Sequence, residues 1–176
     1  NRVAAPGPRA MARPCRITVP ELAERKSSEQ KLCMLTAYDF PTAQLLDQSG
    51  VDAILVGDSL ANVVQGRETT IPVTLDEIIY HAEIVCRAVE HALVVVDMPF
   101  LSYHTGIEQA IANAGRILKQ TGCQAVKLEG NAGQAAIVSS LVNIGIPVMA
   151  HVGLRPQSIH QMGGYRVQRA RETLHH

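Results

Sequence analysis

The sequence predicts an α/β domain built on a parallel sheet, and three observations carry that reading. From residue 31 onward, short apolar runs alternate with segments of helical periodicity. Runs such as Leu93–Val96 are apolar throughout rather than alternating, as strands covered on both faces are. Borders between segments carry helix signals, a glycine stop or a Thr-x-x-Glu start. Two architectures share this pattern: a (β/α)8 barrel and an open doubly wound sheet. Neither a G-x-G-x-x-G after the first run nor a G-x-x-x-x-G-K-[ST] occurs, which disfavours an open sheet that binds dinucleotides.

Taken in order, Lys31–Ala37 is the first predicted strand, Pro41–Ser49 a helix closed by Gly50, and Val51–Val56 the second strand. Residues Asn62–Pro72 read as a long polar loop. Thr74 and Glu77 form a capping box, in which hydroxyl and carboxylate satisfy orphan amides, and Ile78, Ala82, Val85 and Val89 then recur at helical spacing. Leu93–Val96 is the third strand. Thr105 and Glu108 form a second capping box, opening a helix with an apolar face of Ile107, Ile111, Ala114 and Leu118 and a stop at Gly122. Gln124–Glu129 is the fourth strand, Asn131 caps a helix to Asn143 that Gly145 ends, and Pro147–His151 is the fifth strand.

Composition narrows the function. Of 176 residues, 47% are apolar, enough for a core. Sixteen basic and 16 acidic residues balance to zero, and there is no Trp, so neither the charge nor the stacking surface of a nucleic-acid binder is present. No apolar run approaches the ~20 residues of a membrane span. The cysteines Cys15, Cys33, Cys86 and Cys123 form no C-x-x-C pair; three lie in apolar stretches and read as reduced core thiols, which points to a cytoplasmic protein. Residues 1–16 are rich in Arg without acid and read as a flexible leader, with a transit-peptide remnant as the alternative.

The informative residues share one address, the carboxyl ends of strands, which form the active face of α/β proteins. Asp58 and Ser59 follow the second strand, Asp97 ends the third, Lys127 and Glu129 end the fourth, and His151 ends the fifth. A charge at the end of an apolar strand is desolvated and needs a partner. If the sheet curls, Asp58, Asp97 and Glu129 converge, and like charges repel unless a cation sits among them. Their donors are all oxygen, which suits Mg2+ better than zinc. Lys127 can neutralise part of this cluster or bind a substrate carboxylate. Gly57, before Asp58 and Ser59, allows close backbone approach. The segment from Gly153 to Tyr165 forms a long loop of the kind that serves as a lid.

At these residues the sequence resembles the ketopantoate hydroxymethyltransferase family. The matching strings are Thr36–Asp39 (TAYD), Val56–Leu60 (VGDSL), Val64–Gly66 (VQG), Thr70–Thr74 (TIPVT), Asp97–Phe100 (DMPF), Lys127–Gly130 (KLEG), His151–Leu154 (HVGL), Pro156–Ser158 (PQS) and Gly163–Gln168 (GGYRVQ). They stand in the family's order and span about residues 17–168.

The resemblance implies a (β/α)8 TIM barrel of the phosphoenolpyruvate/pyruvate superfamily, with about five of eight strands present in the partial catalytic domain 17–168. It implies transfer of a hydroxymethyl group from 5,10-methylenetetrahydrofolate to 3-methyl-2-oxobutanoate, giving 2-dehydropantoate in pantothenate and coenzyme A biosynthesis. It implies Mg2+ ligands at Asp58, Asp97 and Glu129, and keto-acid contacts at Asp58, Ser59, Asp97, Lys127 and His151. It also implies a homo-oligomer. The family's general-base glutamate lies on a later strand that no residue here matches, so no catalytic residue is carried over. Residues 169–176 diverge from the family pattern. A chain of this length is expected to expose two sheet edges and to show little turnover alone. A noncatalytic fragment and a related Mg-dependent 2-oxo acid lyase remain the alternative readings.

Overall fold

A computed structural model of the chain describes residues 16–28, 31–162 and 164. The expected leader up to Cys15, most of the GGYRVQ string and the tail 169–176 lie outside the described residues.

Five parallel strands form one sheet: β1 (Met34–Thr36), β2 (Ala53–Val56), β3 (Leu93–Asp97), β4 (Ala125–Glu129) and β5 (Val148–His151). Their order in the sheet is their order in the chain. An open doubly wound sheet reverses that order at its switch point, whereas a barrel does not. The helices between them are α2 (Phe40–Gln48), α3 (Leu60–Val63), α4 (Leu75–Ala88), α5 (Ile107–Thr121) and α6 (Ala135–Asn143). A short helix, α1 (Val19–Glu24), precedes the sheet and α7 (Ile159–Met162) follows it.

The two faces of the strands have different fates because side chains alternate with period two. Ile54, Val56, Val94, Val96, Val126 and Leu128 pack outward against the helices in the main core. Ala53, Leu93, Val95 and Ala125 point the other way, against Ile17, Val19 and Leu22 around α1. Continuing that second face by two residues along β3 and β4 reaches Asp97 and Lys127, and two more along β4 reaches Glu129. One face is thus an apolar floor, covered by α1 at the strands' start, that turns polar at their carboxyl ends. Ile17 N–H donates to the His91 carbonyl (2.8 Å), Arg16 donates to the Val89 carbonyl, and Arg25 pairs with Asp52, which ties α1 to that floor.

Most sequence expectations hold within a residue or two, and several are corrected. β1 is confined to Met34–Thr36 and the predicted loop from Asn62 begins inside α3. The Thr74 and Glu77 capping box forms with both of its bonds. The Thr105 and Glu108 box does not. Gly106, at φ 149°, is the N-cap of α5, and Gln109 rather than Glu108 reaches back, its Oε1 accepting from the Thr105 hydroxyl (2.5 Å). The buried stripe of α5 is correspondingly Ala110, Ala114, Ile117 and Thr121, with Ile107 exposed. Cys123 is buried and Cys86 half-buried, but Cys33 is exposed and is no core thiol. Burial pushes the Cys86 thiol up to about 12 and disfavours its thiolate.

Candidate functional site

The strand ends bring two pairs of site residues together by register alone. Asp97 is the lateral neighbour of Lys127, and Glu129 that of His151. Lys127 Nζ stands 2.6 Å from Asp97 Oδ1, and His151 Nδ1 stands 3.3 Å from Glu129 Oε1. Asp58 enters from the turn after β2, where its main-chain N–H donates to Asp97 Oδ2 (3.0 Å). An Asp after a strand often caps the next helix. Here the N-cap of α3 is Ser59, so the Asp58 carboxylate is left for the site. Gly57 makes room for this turn: a Cβ there would lie 2.9 Å from Ser59 Oγ and 3.3 Å from Asp97 Oδ2. Ser59 itself turns its hydroxyl to Tyr38 Oη (2.7 Å).

The three acids are buried, with Asp58 at 4%, Asp97 at 2% and Glu129 at 5% exposure. Burial pushes Asp97 up to about 6, with the Asp58 charge adding and Lys127 opposing. Burial pushes Glu129 up to about 7, against the Gln157 N–H and with the Asp58 and Asp97 charges adding. Burial first, and then the Lys127 charge, lower the pKa of His151 beside Glu129, which favours the neutral ring.

Sequence reasoning missed the residue that links these pairs. Gln157, in the 3-10 turn Pro156–Ser158, donates from Nε2 to Asp58 Oδ2 (3.0 Å) and from its main chain to Glu129 Oε2 (3.0 Å). Tyr103, also missed, is wholly buried; its hydroxyl donates to Gln157 Oε1 (2.8 Å) and accepts from Glu129 N–H (3.1 Å). Gln157 stood inside the PQS string, which was its only sequence signal.

The chemistry of this donor set fits a hard divalent cation. It offers buried carboxylate oxygens, with Asp97 and Glu129 pushed toward protonation by burial first and by the neighbouring acids second, and Lys127 is the lone cation paired with them among the described residues. As placed, Asp58 and Asp97 adjoin, while Glu129 is engaged by Gln157 and His151. Among the described residues, no three His, Cys, Asp or Glu side chains already form a ligand cluster. A cleft of about 410 Å³ opens on the Glu129 side, lined also by Phe100, Tyr103, His104, Arg155, Gln157 and His160. The loop expected as a lid thus supplies Arg155, Gln157 and His160 to this wall.

Comparison with known proteins gives the family and the fold. The family model described as Ketopantoate hydroxymethyltransferase matches residues 16–175. The 3-methyl-2-oxobutanoate hydroxymethyltransferase of Desulforapulum autotrophicum is 54% identical over 90% of this chain and 60% of its own length. That of Trichodesmium erythraeum is 58% identical over 86% of this chain and 58% of its own. The chain therefore spans about 60% of the length of the curated relatives it matches. Among solved structures, phosphoenolpyruvate phosphomutase of Streptomyces platensis aligns with a TM-score of 0.60 at 16% identity, covering 77% of this chain and 54% of that one. A 2,3-dimethylmalate lyase, a PEP mutase/isocitrate lyase superfamily member, aligns at 0.56 and 18%, covering 82% and 55%. These are TIM barrels, and the five-stranded sheet is part of that architecture.

Proposed function

This chain belongs to the ketopantoate hydroxymethyltransferase family, and on that premise we propose that it carries the metal and keto-acid site of a one-carbon transferase. The reaction moves a hydroxymethyl group from 5,10-methylenetetrahydrofolate to 3-methyl-2-oxobutanoate and yields 2-dehydropantoate, a step toward pantothenate. The observation that supports this best is the convergence of Asp58, Asp97 and Lys127 at adjacent strand ends, with Glu129 joined to them through Gln157.

Mg2+, held by Asp58 and Asp97 with Glu129 behind them, would supply Lewis acidity toward the carboxylate and keto oxygens of a 2-oxo acid. The remaining roles belong to the chain. Lys127 is half-buried and pairs with Asp97, so its ammonium can oppose negative charge that grows on the keto oxygen as the C3 proton leaves. Ser59, held by Tyr38, can donate a hydrogen bond to the keto acid, and neutral His151 can orient it. Tyr103 and Gln157 form part of the wall of the cleft beside Glu129. The general base has no assignment here: the resemblance gives that role to a glutamate that no residue of this chain matches.

Ligand uptake is the test suited to these residues. Calorimetry should show 3-methyl-2-oxobutanoate binding that requires Mg2+ and disappears in Asp97→Asn. No heat in the wild-type chain with both ligands present would sink the proposal. Product analysis of the whole enzyme, with and without methylenetetrahydrofolate, separates this transferase from a lyase acting on 2-oxo acids.

A further inference from the structure

Gln157 reaches the strand ends from outside the strands. It is 4% exposed, and every polar atom of its side chain is engaged. Nε2 donates to Asp58 Oδ2 and to the Met98 carbonyl, each at 3.0 Å. A carbonyl accepts and cannot donate, so Met98 fixes which end of the amide is nitrogen. Oε1 must then face Tyr103, whose hydroxyl donates to it at 2.8 Å. The main-chain N–H of the same residue donates to Glu129 Oε2 at 3.0 Å.

From this arrangement we infer that Gln157 is a positioning residue for the divalent-cation site, orienting the Asp58 and Glu129 carboxylates from one buried point. The inference rests on the reading of those acids as the metal site. A packing role would need only volume. Here instead N–H donors are aimed at one oxygen of each of two carboxylates, which is how residues behind a metal site aim its ligands. The amide is also neutral. A lysine in its place would cancel the charge that attracts a cation, whereas glutamine orients the acids and leaves that charge intact. Because Gln157 belongs to the turn after β5, seating of that turn and alignment of Asp58 in the turn after β2 are one event. Tyr103 completes the arrangement by holding the amide oxygen.

The test titrates Mn2+ into the full chain and reads free Mn2+ by electron paramagnetic resonance, with thermal midpoints of the metal-free proteins measured in parallel. Gln157→Ala should weaken Mn2+ binding by about 10- to 100-fold. Gln157→Met keeps most of the volume and the main-chain N–H to Glu129 but removes the amide donor to Asp58; it should lose affinity to the same degree while its metal-free midpoint stays nearer the wild type. Tyr103→Phe keeps both amide donors and should lose less. If Gln157→Ala does not fold, the other two variants decide the matter. Mn2+ affinities of Gln157→Met and Tyr103→Phe equal to the wild type, whatever the midpoints, would overturn the inference alone. Failure of the wild type to take up Mn2+ would overturn the metal reading and this inference with it.

Discussion

Asp97 and Lys127 are register partners on β3 and β4, and their side chains close an ion pair of 2.6 Å at a position where Asp97 is 2% exposed. Removing one partner of a buried pair leaves an uncompensated charge, and that penalty exceeds the net worth of the pair. Lys127→Met should therefore destabilise the metal-free chain by about 3 kcal/mol at neutral pH. The double variant Asp97→Asn with Lys127→Met should be less destabilised than the sum of the singles, because the stranded charge is gone. Urea unfolding of the four proteins checks this, and additive losses would refute it.

A second buried acid works on the backbone. Asp47, near the end of α2, accepts main-chain N–H bonds from Glu90 (2.9 Å), His91 (3.1 Å) and Ala92 (2.7 Å), clamping the turn between α4 and β3. Burial alone would raise its pKa, but those donors outweigh burial and hold the carboxyl below the usual range. Asp47→Ala should cost about 3 kcal/mol, because it strands these donors. The sign with pH follows from the lowered native pKa. The ionised carboxylate's contribution is present above the ordinary carboxyl pKa of about 3.9 and fades as pH falls through the native value. The stability gap between wild type and Asp47→Asn should accordingly narrow on acidification, and a gap independent of pH would rule out the clamp as ionic.

How far the sequence could see follows from range. Asp58, Asp97, Lys127, Glu129 and His151 were legible because each ends an apolar run, and the order of the runs is the order of the sheet. Asp47 was hidden, since its partners lie 43 to 45 residues away and its helix looks ordinary. Gln157 contacts Asp58 across 99 residues and follows no periodicity of its own. Thr105 misled for a local reason: Thr-x-x-Glu was present, but Gly106 took the N-cap and moved the reciprocal bond to Gln109.

Gly57 limits what the turn after β2 tolerates. A methyl group there would meet Ser59 Oγ at 2.9 Å, so the hydroxyl that hydrogen-bonds Tyr38 would have to shift. Tyr38→Phe removes that hydrogen bond without a clash and should cost about 1 kcal/mol. Gly57→Ala should cost more, since Asp97 Oδ2 also lies at 3.3 Å from the new carbon, and it should weaken Mg2+-dependent keto-acid binding further than Tyr38→Phe does. Calorimetry and unfolding on both variants provide the check; equal behaviour would mean that the turn has slack.

The stripe of α5 can be tested by two isoleucines on one helix. Ile117 is wholly buried against the main core, while Ile107, at the helix start, is 41% exposed. The apolar face read from sequence would weight Ile107, whereas the observed stripe weights Ile117. Truncating a buried isoleucine removes its transfer energy and leaves a cavity, so Ile117→Ala should cost about 3 kcal/mol. Ile107→Ala loses only a partly covered side chain and should cost under about 1 kcal/mol. Urea midpoints with unchanged slopes would report these differences directly. A larger loss at Ile107 than at Ile117 would mean that α5 is rotated toward the stripe of Ile107, Ile111, Ala114 and Leu118.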